Sequence, residues 1–182
     1  LPDALVNYLV RLGWSYGDQE VFTKDELIQH FSFGNVGTSS AVFNPEKLLW
    51  LNSQYIIHSD PEKLADLVLP FLINAGILKE GQTLDKTWLA KAITTLQERS
   101  KTLIELAESL GYYIAEDVEY VQKAKEKFLN EKSRPYLLEL KEAIERLEDF
   151  SPTAIETIFK SIAEKNNIKL GNIAQPVRVA MT

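Results

Sequence analysis

Several residue types that carry common chemistries are scarce in this sequence or missing from it. It has no cysteine and only two histidines, His30 and His58, which excludes a disulfide framework, a cysteine-based zinc site and a Cys/His nucleophile. The apolar run over residues 64–73 is interrupted by Asp66 and Pro70, and it is shorter than the roughly 20 apolar residues that a membrane-spanning helix needs. The sequence therefore predicts no membrane anchor.

Motifs for nucleotide binding and for acid–base catalysis are missing as well. The segment 33–38 has two glycines but lacks the spacing and the following lysine of a phosphate-binding loop. The acid pairs at 25–26 and 148–149 consist of adjacent residues, which point to different sides of a helix. We therefore expect neither a catalytic site nor a metal site in this chain.

What is present is the composition of an ordinary soluble globular protein. The chain has 182 residues, of which 45% are apolar and 25% charged, and its formal net charge is −6. That length allows one large domain or two small ones with a sizeable core. The chain begins with Leu1, Pro2 and Asp3 rather than with Met, so we interpret it as a piece of a longer polypeptide.

Apolar residues recur with the period of a helix through most of the sequence, which predicts an all-α fold. Cap residues followed by proline, as at 44–45, 60–61 and 151–152, mark helix starts. The pattern predicts helices over 2–12, 23–31, 45–57, 61–75 with a kink or break at Pro70, 84–97, 100–110 closed by Gly111, 116–130, 133–150 and 152–166. We place a domain boundary near residue 60 and a possible second one near Gly111.

One stretch of the acidic chain is locally positive. It carries Lys123, Lys125, Lys127, Lys132 and Arg134 against two glutamates, and a phosphate backbone would be met there if the protein meets one. A solvated helical face explains the same pattern.

Three segments resemble a known family. They are LPDALVNYLVRLGWS at 1–15, FNPEKLLWLNSQYI at 43–56 and KLGNIAQPVRVAMT at 169–182, and they are similar to the C-terminal half of bacterial glutamyl-tRNA synthetases. The catalytic domain of that family has a His-Ile-Gly-His-like motif and a Lys-Met-Ser-Lys-Ser-like loop, and this sequence has neither. The family usually continues past the position of Thr182 with a glycine and a last pair of helices.

The resemblance implies a non-catalytic part of an enzyme that joins glutamate to tRNA with ATP and Mg²⁺. On this reading residues 1–60 are a helical stem-contact domain that touches the inner corner of the tRNA, and residues 61–182 are a multi-helix anticodon-binding cage. The implied partner is tRNA-Glu, the implied compartment is the cytoplasm, and the chain is expected to be a monomer that binds no cofactor itself.

The resemblance also implies individual roles. Arg99 lines up with an arginine facing the third anticodon base, Gln175 and Arg178 with side chains facing the first two, and Lys160 with a basic residue near the same loop. Lys47 and Trp50 would contact the tRNA stem.

For each of these residues a structural role remains open. Arg99 can form an ion pair at a helix end, Gln175 and Arg178 can belong to a helix-capping turn, and Trp50 can be a core residue beside a solvated Lys47. The alternative for the whole chain is a helical protein-interaction module that docks another synthetase or a scaffold.

Overall fold

The described part of the chain folds into α-helices, which confirms the predicted fold class. The computed structural model describes residues 1–37, 41–115 and 120–181, and no strand occurs within those ranges. Trp14 and Val36 form an isolated antiparallel bridge, and 3₁₀ turns lie at Phe33–Asn35 and Gln97–Arg99. The α-helices are α1 (Pro2–Arg11), α2 (Lys24–His30), α3 (Pro45–Ile57), α4 (Pro61–Asn74), α5 (Lys86–Thr94), α6 (Leu103–Ile114), α7 (Gln122–Phe128), α8 (Arg134–Glu145), α9 (Pro152–Lys165) and α10 (Gly171–Met181).

Most helix starts coincide with a side chain that binds the free amides of the first turn. In the capping box of α2, Thr23 Oγ1 accepts a hydrogen bond from the Glu26 amide at 3.2 Å, and the Glu26 carboxylate accepts one from the Thr23 amide at 2.7 Å. Asn44, Asp60 and Ser151 cap α3, α4 and α9 in the same way, each followed by proline. The starts predicted from these residues are confirmed.

Packing divides the chain into two compact units, the first from Leu1 to Ile114 and the second beginning at Ala115. The main core of the first unit lies among α4, α5 and α6 and includes the fully buried Leu64, Ile93 and Leu106. A smaller cluster beneath α1 and α2 is built on Trp14 and Phe22. The functional division near residue 60 stays a prediction.

The second unit has its own core, formed where α8, α9 and α10 meet. Leu140, Ile162 and Ile173 are its most buried large side chains. The predicted helix over 116–130 is observed as α7, which begins at Gln122; residues 116–119 lie outside the described residues.

Two helix boundaries of the first unit differ from the predictions, and of the kink or break expected at Pro70 the break does not occur. α4 runs through Pro70. Pro70 and Asp66, whose carbonyl loses its usual donor, are both exposed, so this carbonyl is accessible to solvent. α6 continues past Gly111 to Ile114, because Tyr112, Tyr113 and Ile114 pack against the main core. The expected helix over 84–97 is shorter, since Asp85 caps α5 and Thr95 ends it.

Two further differences lie in the second unit. α8 ends at Glu145 rather than near 150. The residues that follow are exposed except the half-buried Leu147, and none of them belongs to the core of the unit. α10 has no counterpart among the helices predicted from periodicity. It contains Pro176 in its interior.

No helix among the described residues is long and apolar enough to cross a membrane.

Candidate nucleic-acid interface

Arg99 lies on a short turn that is fixed to the first unit from both sides. The turn is the 3₁₀ segment Gln97–Arg99, and the Arg99 amide donates to the Leu96 carbonyl at 2.9 Å. At its first residue, Gln97 Nε2 donates to the Ile57 carbonyl at 2.8 Å. After it, Asn52 Nδ2 donates to the Lys101 carbonyl at 2.6 Å. These bonds anchor the turn to α3, so the backbone that carries Arg99 is held in place.

The Arg99 side chain itself is exposed. The nearby acid Glu105 accepts a hydrogen bond from the Lys101 amide at 2.7 Å rather than pairing with the arginine. Within the described residues, Arg99 takes part in no ion pair of 4 Å or less. The ion-pair alternative is therefore wrong for the described part of the chain, and the planar guanidinium can offer its paired donors to a base edge.

Gln175 and Arg178 lie in the middle of α10, not in a capping turn as the structural alternative had it. Both are exposed, whereas Ile173 and Pro176 of the same helix are buried. Because residues three positions apart are neighbours on a helix surface, the two side chains share one outward face. An amide and a guanidinium side by side are groups that can read the hydrogen-bonding edges of bases.

Lys160 lies on α9 of the same unit, and its ammonium binds a carboxylate of its own helix. Lys160 Nζ is 2.7 Å from Glu156 Oε1, and this hydrogen bond lowers the pKa of Glu156. Since exposed pairs of this kind contribute little free energy, Lys160 can exchange its partner. Arg99 belongs to the first unit and Lys160, Gln175 and Arg178 to the second.

Lys47 belongs to a small charge network in the first unit. Glu20 accepts from Lys47 Nζ at 2.8 Å and from Arg11 Nη2 at 3.2 Å. The hydrogen bond from Lys47 is the largest cause of the lowered pKa of Glu20, with Arg11 adding to it. Lys47 is thus a paired surface residue rather than a freely solvated one.

Trp50, one turn further along α3, is 42% exposed. The structural alternative that made it a core residue is therefore wrong. An indole that is half in solvent on the same helix face as Lys47 provides an apolar contact surface with a donor at its edge.

The positive stretch of the sequence falls on α7 and on the turn before α8. Lys123, Lys125, Lys127 and Lys132 are all exposed. Lys125 lies over the Tyr120 ring at 5.6 Å and Lys127 over the Phe128 ring at 5.0 Å. These lysines are visible in the sequence as a basic stretch. Their neighbours Tyr136 on α8 and Asn172 on α10 are not, because nothing in the local pattern connects residue 127 with residue 172.

The part of the chain that the structure describes has no cluster of side chains suited to a metal ion. Groups of three or more histidine, aspartate or glutamate side chains that could hold an ion do not occur in the described ranges. His30 stacks on Tyr16 at 4.3 Å between ring centroids, and His58 Nδ1 lies 2.7 Å from the Gln54 carbonyl. His30 is the last residue of α2, and His58 is the C-cap residue that follows α3.

Comparison with known proteins connects this geometry to a family. Residues 63–182 match the family model described as the anticodon binding domain. The chain is 55% identical over its whole length to a glutamate–tRNA ligase of Thermodesulfovibrio yellowstonii and 48% identical to one of Geotalea uraniireducens. It spans 39% and 38% of the length of these two relatives.

Solved structures give the same result for the fold. A crystal structure of a glutamate tRNA ligase from Elizabethkingia meningosepticum in complex with its amino acid matches with a TM-score of 0.85 at 25% identity. A glutamate-tRNA synthetase from Elizabethkingia anophelis matches with a TM-score of 0.80. In both cases the match covers all of this chain and 35% of the other one. The resemblance to bacterial glutamyl-tRNA synthetases is confirmed.

Proposed function

This chain belongs to the anticodon binding domain family, and from that premise we propose that it is the tRNA-binding part of a glutamate–tRNA ligase. It holds the inner corner of tRNA-Glu and reads the anticodon, while a catalytic domain outside these residues joins glutamate to the tRNA with ATP and Mg²⁺. The observation that carries the proposal is the match of residues 63–182 to the family model, within a chain that aligns over its whole length with such ligases.

The side chains of the candidate interface suit the reading of an anticodon. Bases in a tRNA loop are unstacked, so their hydrogen-bonding edges are accessible to protein side chains. Arg99 on its anchored turn would face the third base, and Gln175 and Arg178 on α10 the first two. The expected anticodon has the form pyrimidine-U-C. An arginine that donates two hydrogen bonds to one base can distinguish that base from others at a single position.

The proposal also covers the rest of the chain. Lys47 and Trp50 would contact the tRNA stem from residues 1–60, and Lys160 would approach the anticodon loop. The chain would act as a cytoplasmic monomer with no cofactor of its own. Because the net charge is −6, binding depends on local positive surfaces rather than on the overall field, and its affinity falls steeply with salt.

The test is a binding titration of this chain with two transcripts, tRNA-Glu and the same tRNA with the third anticodon base changed from C to G. Each is measured at two salt concentrations. Tighter, salt-sensitive binding of the C form is the expected result. Equal affinity for the two transcripts contradicts anticodon reading by this chain.

A second candidate is docking onto another protein. It is favoured by the exposed side chains of Phe33, Val42 and Phe43 in the first unit, which are 86%, 83% and 56% accessible and more apolar than a purely RNA-facing surface requires. Absence of tRNA binding by a fully helical chain would put this candidate first.

A further inference from the structure

The helices of the second unit differ in whether their basic side chains form ion pairs. On α8 and α9, every basic side chain is ion-paired: Arg134 with Glu131, Lys141 with Glu145, Arg146 with Glu142, Lys160 with Glu156 and Lys165 with Glu139. By contrast, Lys123, Lys125, Lys127 and Lys132 have no carboxylate within 4 Å among the described residues. Within residues 120–181, α7 and the turn that follows it therefore carry a group of exposed lysines that no described carboxylate pairs.

Two of these lysines line a groove. The groove has a volume of about 390 Å³, and its walls include Lys127, Phe128, Lys132, Tyr136, Gly171 and Asn172. Its volume falls in the range of ligand-binding clefts. One side comes from the end of α7 and the start of α8 and the other from the first turn of α10, so we call it the α7–α10 groove.

The groove is open where α10 begins. A Cβ built on Gly171 meets no atom within 4 Å, and Gly171 and Asn172 are exposed. The rings of Phe128 and Tyr136 are partly buried and give the groove an apolar floor. Two exposed lysines beside aromatic side chains fit a nucleic-acid strand, since proteins bind single strands with positively charged grooves that also contain aromatic residues.

We propose that the α7–α10 groove binds the backbone of an RNA strand, with Lys127 and Lys132 neutralising phosphates. This inference rests on the proposed function, because it assigns a second, sequence-independent contact beside the base-reading face of Gln175 and Arg178 on the same α10. The groove contributes affinity and fixes the position of the RNA on the protein, and the face of α10 that carries Gln175 and Arg178 distinguishes one base from another.

The test compares two double variants of the full chain in binding to tRNA-Glu over a range of salt. Lys127→Gln/Lys132→Gln removes both groove charges. Lys141→Gln/Lys165→Gln removes two ion-paired charges from α8 and α9 and changes the net charge by the same amount. Each phosphate contact on a single strand contributes about 0.7 to the slope of log K against log salt. We expect the groove variant to lose about 1.4 from this slope and about 25-fold in affinity at 0.1 M salt.

A third variant separates an effect on RNA binding from an effect on folding. Gly171→Asp places a carboxylate in open space at the first turn of α10, where a negative charge stabilises the helix. We expect it to weaken RNA binding while the melting temperature stays level or rises.

The outcomes separate the two proposals. A reduced slope for the groove variant, with an unchanged preference for the C form over the G form, supports the groove. An unchanged slope, or an equal loss in the α8–α9 control, overturns the groove while the preference for C keeps the proposed function. Loss of that preference in the unmodified chain overturns the proposed function, and absence of any RNA binding overturns both.

Discussion

Replacement of the buried Asn7 is expected to destabilise the first unit strongly. Asn7 is fully buried, and its side chain joins three segments. Its Oδ1 accepts from the Phe22 amide at 2.7 Å and lies 3.0 Å from the Tyr55 hydroxyl, while its Nδ2 donates to the Glu20 carbonyl at 3.0 Å. The residue thus ties residues 20–22 to α1 and α3, and it holds Glu20 in position for its ion pair with Lys47.

The magnitude follows from the groups that Asn7→Ala leaves without partners. The buried Phe22 amide loses its acceptor, which costs about 1 to 3 kcal/mol, and the half-buried Glu20 carbonyl loses its donor, which costs about 0.5 to 1.5 kcal/mol. Tyr55 retains the Phe22 carbonyl as its acceptor. We therefore expect Asn7→Ala to lower the free energy of unfolding by about 2 to 4 kcal/mol, a large share of the roughly 5 to 15 kcal/mol of a typical domain.

Urea unfolding followed by tryptophan fluorescence measures this change in the first unit alone, because Trp14, Trp50 and Trp88 all lie there. The matched control is Asn74→Ala at the exposed end of α4, which should stay within about 0.5 kcal/mol of the unmodified chain. If Asn7→Ala also changed the free energy of unfolding by no more than about 0.5 kcal/mol, the hydrogen bonds of Asn7 would not stabilise the first unit.

Two further predictions concern Arg99 and Tyr55. Arg99→Gln should reduce the preference for C over G at the third anticodon base by about 1 to 3 kcal/mol, the value of one bidentate contact, whereas Lys101→Gln, an equal loss of charge at an exposed neighbour, should leave it unchanged. Competition binding with the two transcripts measures this preference for both variants. If Lys101→Gln reduced the preference as much as Arg99→Gln, Arg99 would not be a base-reading residue. Burial raises the pKa of Tyr55 to about 12, so the folded unit holds its proton more tightly than the unfolded chain. The raised pKa of Tyr55 therefore contributes to the free energy of unfolding. This contribution is complete below pH 10 and is lost as the pH rises towards 12. With allowance for its partial exposure it amounts to about 1 to 2 kcal/mol. Between pH 9 and 12, the free energy of unfolding should therefore fall more steeply with pH for the unmodified chain than for Tyr55→Phe. Identical pH dependence of the two chains would contradict this.

Local sequence patterns predicted the helix starts well because their causes are local. The Thr23 hydroxyl and the Glu26 carboxylate satisfy amides within three residues of themselves, and Asn44 does so beside a proline. Nothing beyond the first turn of the helix is needed for this preference, so a single sequence contains it.

Helix ends were less predictable because packing decides them. Gly111 favours a stop, yet α6 continues through it since Tyr112 and Tyr113 gain contacts with the core. α10 was missed because Pro176 interrupts the pattern that identifies a helix. Its stability comes from burial of Ile173 and Pro176 in the core of the second unit, which no local rule contains.

The candidate site was predicted by resemblance and not by pattern. Nothing near Arg99 indicates that Gln97 binds the Ile57 carbonyl, 40 residues earlier. The lysines of α7 were visible as a basic stretch, but the α7–α10 groove depends on Gly171 and Asn172 from a distant part of the chain. Contacts between positions so far apart in sequence form only in the folded chain.

The most direct test of anticodon reading is to locate the RNA on the protein. We would titrate the isotope-labelled chain with the isolated anticodon stem-loop of tRNA-Glu and follow its amide resonances. The account predicts shifts at Gln175, Arg178 and Arg99, weakened when the third base is changed from C to G. Shifts confined to other surfaces, or shifts that are the same for both loops, would contradict it.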